Sequence, residues 1–365
     1  MAETILLVGT RKGLVIARSR DDRRTWDLDD IRFVTMEVAA VGVDARRDPP
    51  RLFAAVQSFH WGSTVVHSDD LGATWSEPET APVAFPEDAD RALRRIWQIQ
   101  PAPANQPDVV YAGVEPHALF RSEDGGVSFE MVRGLDEHPH RPQWQPGGGG
   151  ACLHTVVPHP TDPQRLLVAI SSGGVYRTHD GGASWEPANQ GIQALFMPED
   201  QRFPEFGQCV HKVATHPSNP ERLYAQNHFG VYRSDDWGTQ WQAIENGLPS
   251  NFGFPMVVHP SRPETVYNFP LVADVERMPP ENRCRVYRTD DGGSTWRALE
   301  KGLPGAPYYA AVMRDAMGTD GVDPAGVYFG TRVGEVFATR DDGDSWTQVA
   351  QHLPDILSVR AVALP

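Results

Sequence analysis

Apolar and polar residues alternate in short runs along this chain, four to eight residues at a time, between clusters of Gly, Pro and Asp. That period-two pattern, rich in Val, Leu and Tyr, predicts β-strands. It is plainest in residues 209–244. Cys209–Pro217 reads as a first strand, Arg222–His228 as a second, Gly230–Asp235 as a third and Gln240–Ile244 as a fourth. The same quartet can be followed elsewhere, for example through Arg51–Val56 and Ser63–Ser68, Leu166–Ile170 and Gly174–Thr178, or Val327–Gly330 and Val336–Thr339.

Between third and fourth strands stands a recurring turn, represented by Arg288–Trp296, with copies at Ser19–Trp26, Ser68–Trp75, Ser122–Phe129, Thr178–Trp185, Ser234–Trp241 and Thr339–Trp346. A Ser or Thr opens each copy, Asp follows two residues later, Gly usually follows two after that, and an aromatic residue closes it. Short Ser, Thr and Asp side chains hydrogen-bond a turn's own backbone, Gly accepts positive φ, and the aromatic buries a large face. Arg23 replaces Gly in the first copy, Phe129 replaces Trp in the third, and Gln240 replaces Thr in the fifth.

The closing aromatics recur every 49 to 56 residues, and a repeat of that length containing four antiparallel strands predicts one all-β unit over residues 1–365, a seven-bladed β-propeller. The first repeat has no first strand, because the chain opens at Ile5–Gly9, which matches a second strand. Ser358–Ala363 matches the missing one. Blade 1 is therefore expected from residues 3–30 plus 356–364, which joins the termini and removes open sheet edges.

The turns resemble the Asp-box, or bacterial neuraminidase repeat, and the whole chain resembles the Asp-box propellers. That group is similar in fold to sialidases, xyloglucan-cleaving glycoside hydrolases, sortilin-type receptors and photosystem II assembly factors. The resemblance implies the architecture and leaves the activity among several classes, since one fold hosts many functions.

Long insertions mark the working face. Glu77–Arg94, Gly134–Gly150, Gly191–Gly207 and Pro270–Asn282 all fall on the side opposite the Asp-box turns, and insertions gathered on one face of a repeat array point to binding. The inner strands align to place Ala39, Trp97, His154, His211, Phe254, Ala310 and Arg360 in one ring. Glu37, Arg95, Cys152, Cys209, Phe252, Tyr308 and Ser358 fall in a second ring. Turns after the second strands add Arg11, His60, Trp61, Glu115, His117, Ser171, Ser172, His228 and Arg332. The candidate funnel residues are thus Arg11, His60, Trp61, Trp97, Glu115, His117, His154, His211, His228, Arg332 and Arg360.

Three chemistries suit that set. Arg11, Arg332 and Arg360 could clamp an anion, as sialidases hold a sugar carboxylate with three arginines; the bland alternative pairs each arginine with a nearby carboxylate. Cys152-x-His154 and Cys209-x-His211 suggest zinc, but equivalent positions on neighbouring blades should not converge on one ion. A looser divalent-metal site from His60, His117, His154, His211 and His228 stays open, with His154, His211 and His228 its core candidates. No cofactor is assigned.

Against sialidase chemistry, Gly9–Gly13 is no match for the Phe-Arg-Ile-Pro start, and no Tyr-Glu pair can be assigned. Gly147–Pro160 resembles the glycine-rich opening of a blade in the xyloglucan-cleaving enzymes. Where those enzymes carry a catalytic Asp in the next turn, this chain has Ile170-Ser-Ser-Gly-Gly. Glycoside hydrolysis needs two suitably spaced carboxylates. The rim offers Glu37, Glu115, Asp136, Glu137, Glu199, Asp200, Glu205, Asp274 and Glu276, among which spacing does not choose.

Charge and composition narrow the partners. A formal charge of −15 excludes nucleic acid and anionic membrane as expected partners, because both require a basic surface. The start lacks an export-signal pattern and three cysteines need no disulfide framework, so the expected location is cytoplasmic. The readings carried forward are a sialidase-like or glycoside-hydrolase-like protein acting on a carbohydrate or other small anionic molecule, a non-catalytic scaffold for a protein partner on the insertion-rich face, and a metal-dependent lyase or hydrolase using the rim histidines.

Overall fold

The computed structural model describes residues 3–273 and 275–364, and the rim candidate Asp274 lies outside them. The chain is a β-propeller built from small antiparallel sheets. Four sheets have four strands each, in the sequential order expected of up-and-down blades, and a fifth has three. The largest, of eight strands, comprises two four-stranded antiparallel runs joined at a single parallel bridge between Asp315 and Ser358.

The inner strands lie side by side around a central axis in the order Ile356–Ala363, Glu37–Asp44, Arg95–Pro101, Leu153–Pro158, Val210–His216, Phe252–Val258 and Val312–Thr319. The last of these packs back against Ile356–Ala363, so the ring closes. The closing strand pairs antiparallel with Thr4–Thr10, from Thr4 opposite Ala363 to Thr10 opposite Ile356. The carboxy-terminal segment therefore supplies the strand that the first repeat lacks.

The recurring turns explain themselves in hydrogen bonds. In the sixth, Thr289 Oγ1 donates to Asp291 Oδ1 at 2.7 Å, while the amide of Gly293 donates to Thr289 Oγ1 at 2.8 Å. Thr295 then donates its amide and its hydroxyl to the two oxygens of Asp291, at 2.9 and 2.7 Å. The first turn manages without glycine by holding Asp22 and Arg23 at φ 60° and 61°. Arg23 compensates by reaching the buried Asp320 at 3.1 Å.

Two of the closing aromatics hydrogen-bond the neighbouring blade. Trp241 Nε1 donates to Ala188 O at 2.9 Å and Trp296 Nε1 to Ile244 O at 2.7 Å, each acceptor lying in the preceding repeat. A large apolar ring and one satisfied polar atom thus serve the same junction.

The second repeat has three strands rather than the expected four. Ser76 takes over from the missing strand: its amide donates to His67 O at 2.8 Å and its Oγ accepts from the His67 amide at 2.9 Å. Pro78 then follows, with no N–H to extend the ladder.

The four long excursions meet one another. Arg91 of the first forms an ion pair with Asp136 of the second. His140 of the second stacks on Phe206 of the third with ring centres 3.9 Å apart. A Cβ at Gly148 of the second would lie 3.7 Å from Arg277 of the fourth.

Candidate functional site

A cavity of ≈ 250 Å³ opens where these excursions meet the ring of inner strands. Arg11, Arg95, Trp97, Arg277, Arg314 and Arg332 line it, with Gly148 and Gly149 across from them and Asp315 at its base. The geometry follows from a feature shared by the inner strands. Each slips register near its start, and the bulged residues include Ala39, Trp97, His154, His211 and Leu357. A bulge leaves a residue outside the ladder and re-aims its side chain.

In the strand Val312–Thr319 the slip is longer. Val312 opposes Thr331 and the next pair is Met317 with Phe329, so Met313–Ala316 bow out together. This excursion carries Arg314 and Asp315 to the axis. The expected occupant of that ring position, Ala310, instead lies before the strand, and Tyr308 is drawn aside to donate to Glu335 Oε2 at 2.7 Å.

Among the described residues, arginines outnumber carboxylates at the cavity. Arg11 pairs with Glu37 at 3.1 Å and Asp355 at 3.2 Å, Arg95 with Glu37 at 2.7 Å, and Arg332 with Asp355 at 2.6 Å. Three guanidinium groups thus share two carboxylates. Below them, Asp315 alone serves Lys212 at 2.5 Å and Arg360 at 3.0 Å. Burial opposes its ionisation, but those two cations hold the Asp315 carboxyl below its ordinary range. Burial pushes the Lys212 ammonium down, with Asp315 opposing that shift.

Arg314 has no carboxylate at all among the described residues. It is only 6% exposed, and its Nη1 donates to Cys152 Sγ at 3.9 Å. Nε has no hydrogen-bond partner among the described residues. The guanidinium carbon lies 5.2 Å from the centre of the Trp97 ring and 5.8 Å from that of Phe254. Arg95 lies over Trp97 as well, at 4.3 Å.

The structure distributes the sequence candidates unevenly. Arg11, Trp97 and Arg332 line the cavity, while Glu115 stands behind it, buried, accepting from Trp97 Nε1 at 3.1 Å and pairing with Arg94 at 3.3 Å. Arg360 sits deeper, because the last strand registers Leu357 at the position expected for it. There it faces a second cavity of ≈ 340 Å³ on the far side of the Lys212–Asp315–Arg360 cluster. The three-arginine clamp is therefore not assembled from Arg11, Arg332 and Arg360; Arg11 and Arg332 meet through Asp355 instead.

His60 and Trp61 project from a turn tip, Trp61 being 87% exposed, and neither lines the cavity. His117 is buried against Trp144 and bonds Ser171 O at 3.3 Å; burial pushes its pKa down to about 4. His154 is enclosed, its Nε2 donating to Val210 O at 2.9 Å and its Nδ1 facing Thr155 Oγ1 at 3.0 Å, so both nitrogens are engaged. Burial, aided by Arg314, holds it far below the usual histidine value.

His211 and His228 do come together, with Cys209 as the third member. One ligand atom from each lies within 4.8 Å of the others. Cys152 stays outside this group, as expected for equivalent positions on neighbouring blades. Its thiol is buried, and burial pushes its pKa up.

The residues that sequence reasoning missed are Arg314, Asp315, Lys212 and Arg277. The signal was present: Arg314 and Asp315 are two adjacent charges inside a strand otherwise reading Ala-Ala-Val-Met and Ala-Met.

No protein-family model matches the chain. It is similar to an oligoxyloglucan-reducing end-specific xyloglucanase of Emericella nidulans, 27% identical over 222 residues that make up 55% of this chain and 24% of that protein. It is also similar to the xyloglucanase Xgh74A of Acetivibrio thermocellus, 24% identical over 281 residues, 67% of this chain and 31% of that protein. The chain thus spans under a third of either relative.

Among solved structures, an ancestral GH74 enzyme superposes with a TM-score of 0.58 at 17% identity, over 86% of this chain and 38% of that one. YCF48 bound to D1 peptide gives 0.52 at 13% identity, over 85% and 81%. These likenesses establish a shared propeller fold.

Proposed function

We propose that the chain is a single seven-bladed Asp-box propeller, counting the eight-stranded sheet as two blades, and that its funnel binds and acts on a small acidic carbohydrate. One observation carries the ligand class. Arg314 is a buried guanidinium lining the cavity with no carboxylate partner among the described residues, and an uncompensated buried charge is costly unless something negative completes it. A carboxylate or phosphate accepting the planar fork, with Arg11, Arg95 and Arg332 around it, supplies that charge.

The cavity suits a monosaccharide-sized group. Similarity to xyloglucanases supports carbohydrate as the class. The excess of arginine supports an acidic sugar over a neutral glucan. Glu37 and Asp355 are each held by two guanidinium groups, which suits them to fixing the arginines. Glu115, behind the cavity and hydrogen-bonded by Trp97, is suited to orienting that indole.

The scaffold reading would favour a plugged rim, whereas a cavity with converging ionisable groups supports small-molecule chemistry. Reducing-sugar release from uronic-acid-containing and neutral xyloglucan oligosaccharides tests the reading. Release from the acidic substrates alone is expected; release confined to neutral ones would contradict it.

A further inference from the structure

Beside the funnel, and independent of what it binds, Cys209, His211 and His228 form a cluster that offers three of the four ligands of a tetrahedral zinc site. We propose that Cys209 Sγ, His211 Nε2 and one His228 ring nitrogen bind a Zn²⁺ ion.

The strongest support is the state of His211. Its Nδ1 lies 2.6 Å from Gly253 O, and a carbonyl oxygen can only accept, so Nδ1 carries the proton. The lone pair is thereby fixed on Nε2, which faces Cys209 Sγ at 3.6 Å. A metal-binding histidine typically donates its remote N–H to such a carbonyl, which fixes tautomer and ring orientation before the ion arrives. His211 is further locked by stacking on Phe254, ring centres 4.7 Å apart and 24° between planes.

The spacing agrees with the chemistry. Sulfur about 2.3 Å and nitrogen about 2.05 Å from a tetrahedral ion stand about 3.6 Å from each other. The backbone places the third ligand: the His228 amide donates to Cys209 O at 2.9 Å, holding the two side chains next to one another. Their rings then complete the group, His211 and His228 having centres 5.5 Å apart.

Thiolate with two imidazoles suits zinc rather than calcium or magnesium, which take oxygen ligands. Cys209 and His228 are partly exposed while His211 is buried, so an ion would enter from the rim. Binding converts the Cys209 thiol to thiolate and releases one proton to solvent, leaving the imidazoles neutral. The other metal-like cluster, His259 with Asp323 and Asp342, is a poorer host. There the Arg262 guanidinium already occupies Asp342 at 2.5 Å.

The experiment uses full-length protein freed of any affinity tag, reduced and stripped with chelator, then titrated with Zn²⁺ and with Co²⁺ as a spectroscopic stand-in. One ion per chain is expected, together with a thiolate-to-cobalt charge-transfer band in the near ultraviolet. That band should persist in a Cys152→Ser/Cys284→Ser double variant, where Cys209 is the sole thiol, and vanish in Cys209→Ser. His228→Gln should weaken zinc binding by about tenfold or more.

Absence of stoichiometric binding, or a band that survives Cys209→Ser, would overturn the assignment. So would a double variant that folds by circular dichroism yet gives no band. The double variant alone decides the question if Cys209→Ser does not fold.

Discussion

Arg314 holds its guanidinium carbon 5.2 Å from the centre of the Trp97 ring, while Trp97 donates its indole N–H to the buried Glu115 at 3.1 Å. One indole therefore orients the buried cation through its face and a carboxylate through its edge. Removing the indole disturbs both. Trp97→Leu should weaken binding of an acidic sugar by about tenfold, the equivalent of a desolvated cation–π contact. Calorimetric titration of the variant checks this, with unchanged thermal stability separating a local from a global effect.

The recurring turns predict a stability effect remote from the cavity. Asp291 accepts hydrogen bonds from Thr289, from the Thr295 amide and from the Thr295 hydroxyl. Asp291→Ala strands these donors and should cost about 2 kcal/mol, less where water reaches the exposed turn. Urea unfolding of the variant measures it, and anion binding should be unaffected.

Ring closure predicts a loss of similar size. A Cβ at Gly9 would sit 2.5 Å from Ser358 Oγ and 2.6 Å from Val38 O, so it collides with the closing strand and with the neighbouring blade. Gly9→Ala should destabilise the fold by about 1–3 kcal/mol, typical of overpacking. Limited proteolysis should then show early release of residues near the carboxy terminus.

Acid should weaken the fold through histidines kept neutral inside it. Burial holds His154 and His211 far below the usual value of 6.5 and lowers His117 to about 4. In the unfolded chain these groups take up protons near pH 6.5, and in the native state they do not. Depressed native pKa values thus contribute stability above pH 6.5 that is lost as pH falls through the native values. Each group steepens the loss by up to about 1.4 kcal/mol per pH unit. Unfolding midpoints measured between pH 7.5 and 4.5 should fall steadily, and more shallowly in His117→Gln.

Turn carboxylates add a second phase in stronger acid. The Thr74 hydroxyl and amide, which hydrogen-bond Asp70, lower its pKa from 3.8 to about 2. Its contribution, present above pH 4, disappears as pH falls toward 2.

Architecture was legible because repetition multiplies a weak local signal. A single Thr-x-Asp-x-Gly is an ordinary turn, whereas a chain of copies at similar spacing fixes strand order and face. The carboxy-terminal strand was found the same way, by matching Ser358–Ala363 to another repeat. That match slipped by three residues, however. Bulges add residues without changing the apolar alternation that the eye follows, and a three-residue error moves Arg360 from the funnel to the lower cavity.

The site was harder for the same reason. Met313–Ala316 leaves the antiparallel ladder with Val327–Thr331, so no periodic argument could bring Arg314 to the axis. His154 and His211 do occupy equivalent positions, as alignment required. Only the partners differ: His154 spends both nitrogens on Val210 and Thr155, while His211 keeps Nε2 toward Cys209. The Val210 carbonyl belongs to the neighbouring inner strand, and alignment of repeats does not see that cross-blade contact.

Calorimetric titration of glucuronate and of glucose into the native protein and into Arg314→Met addresses the anion site most directly. Glucuronate should bind the native chain with one site, glucose should give no measurable heat, and Arg314→Met should lose about tenfold or more in glucuronate affinity. Equal binding of the two sugars, or an Arg314→Met chain that binds glucuronate as tightly as the native one, would contradict the account.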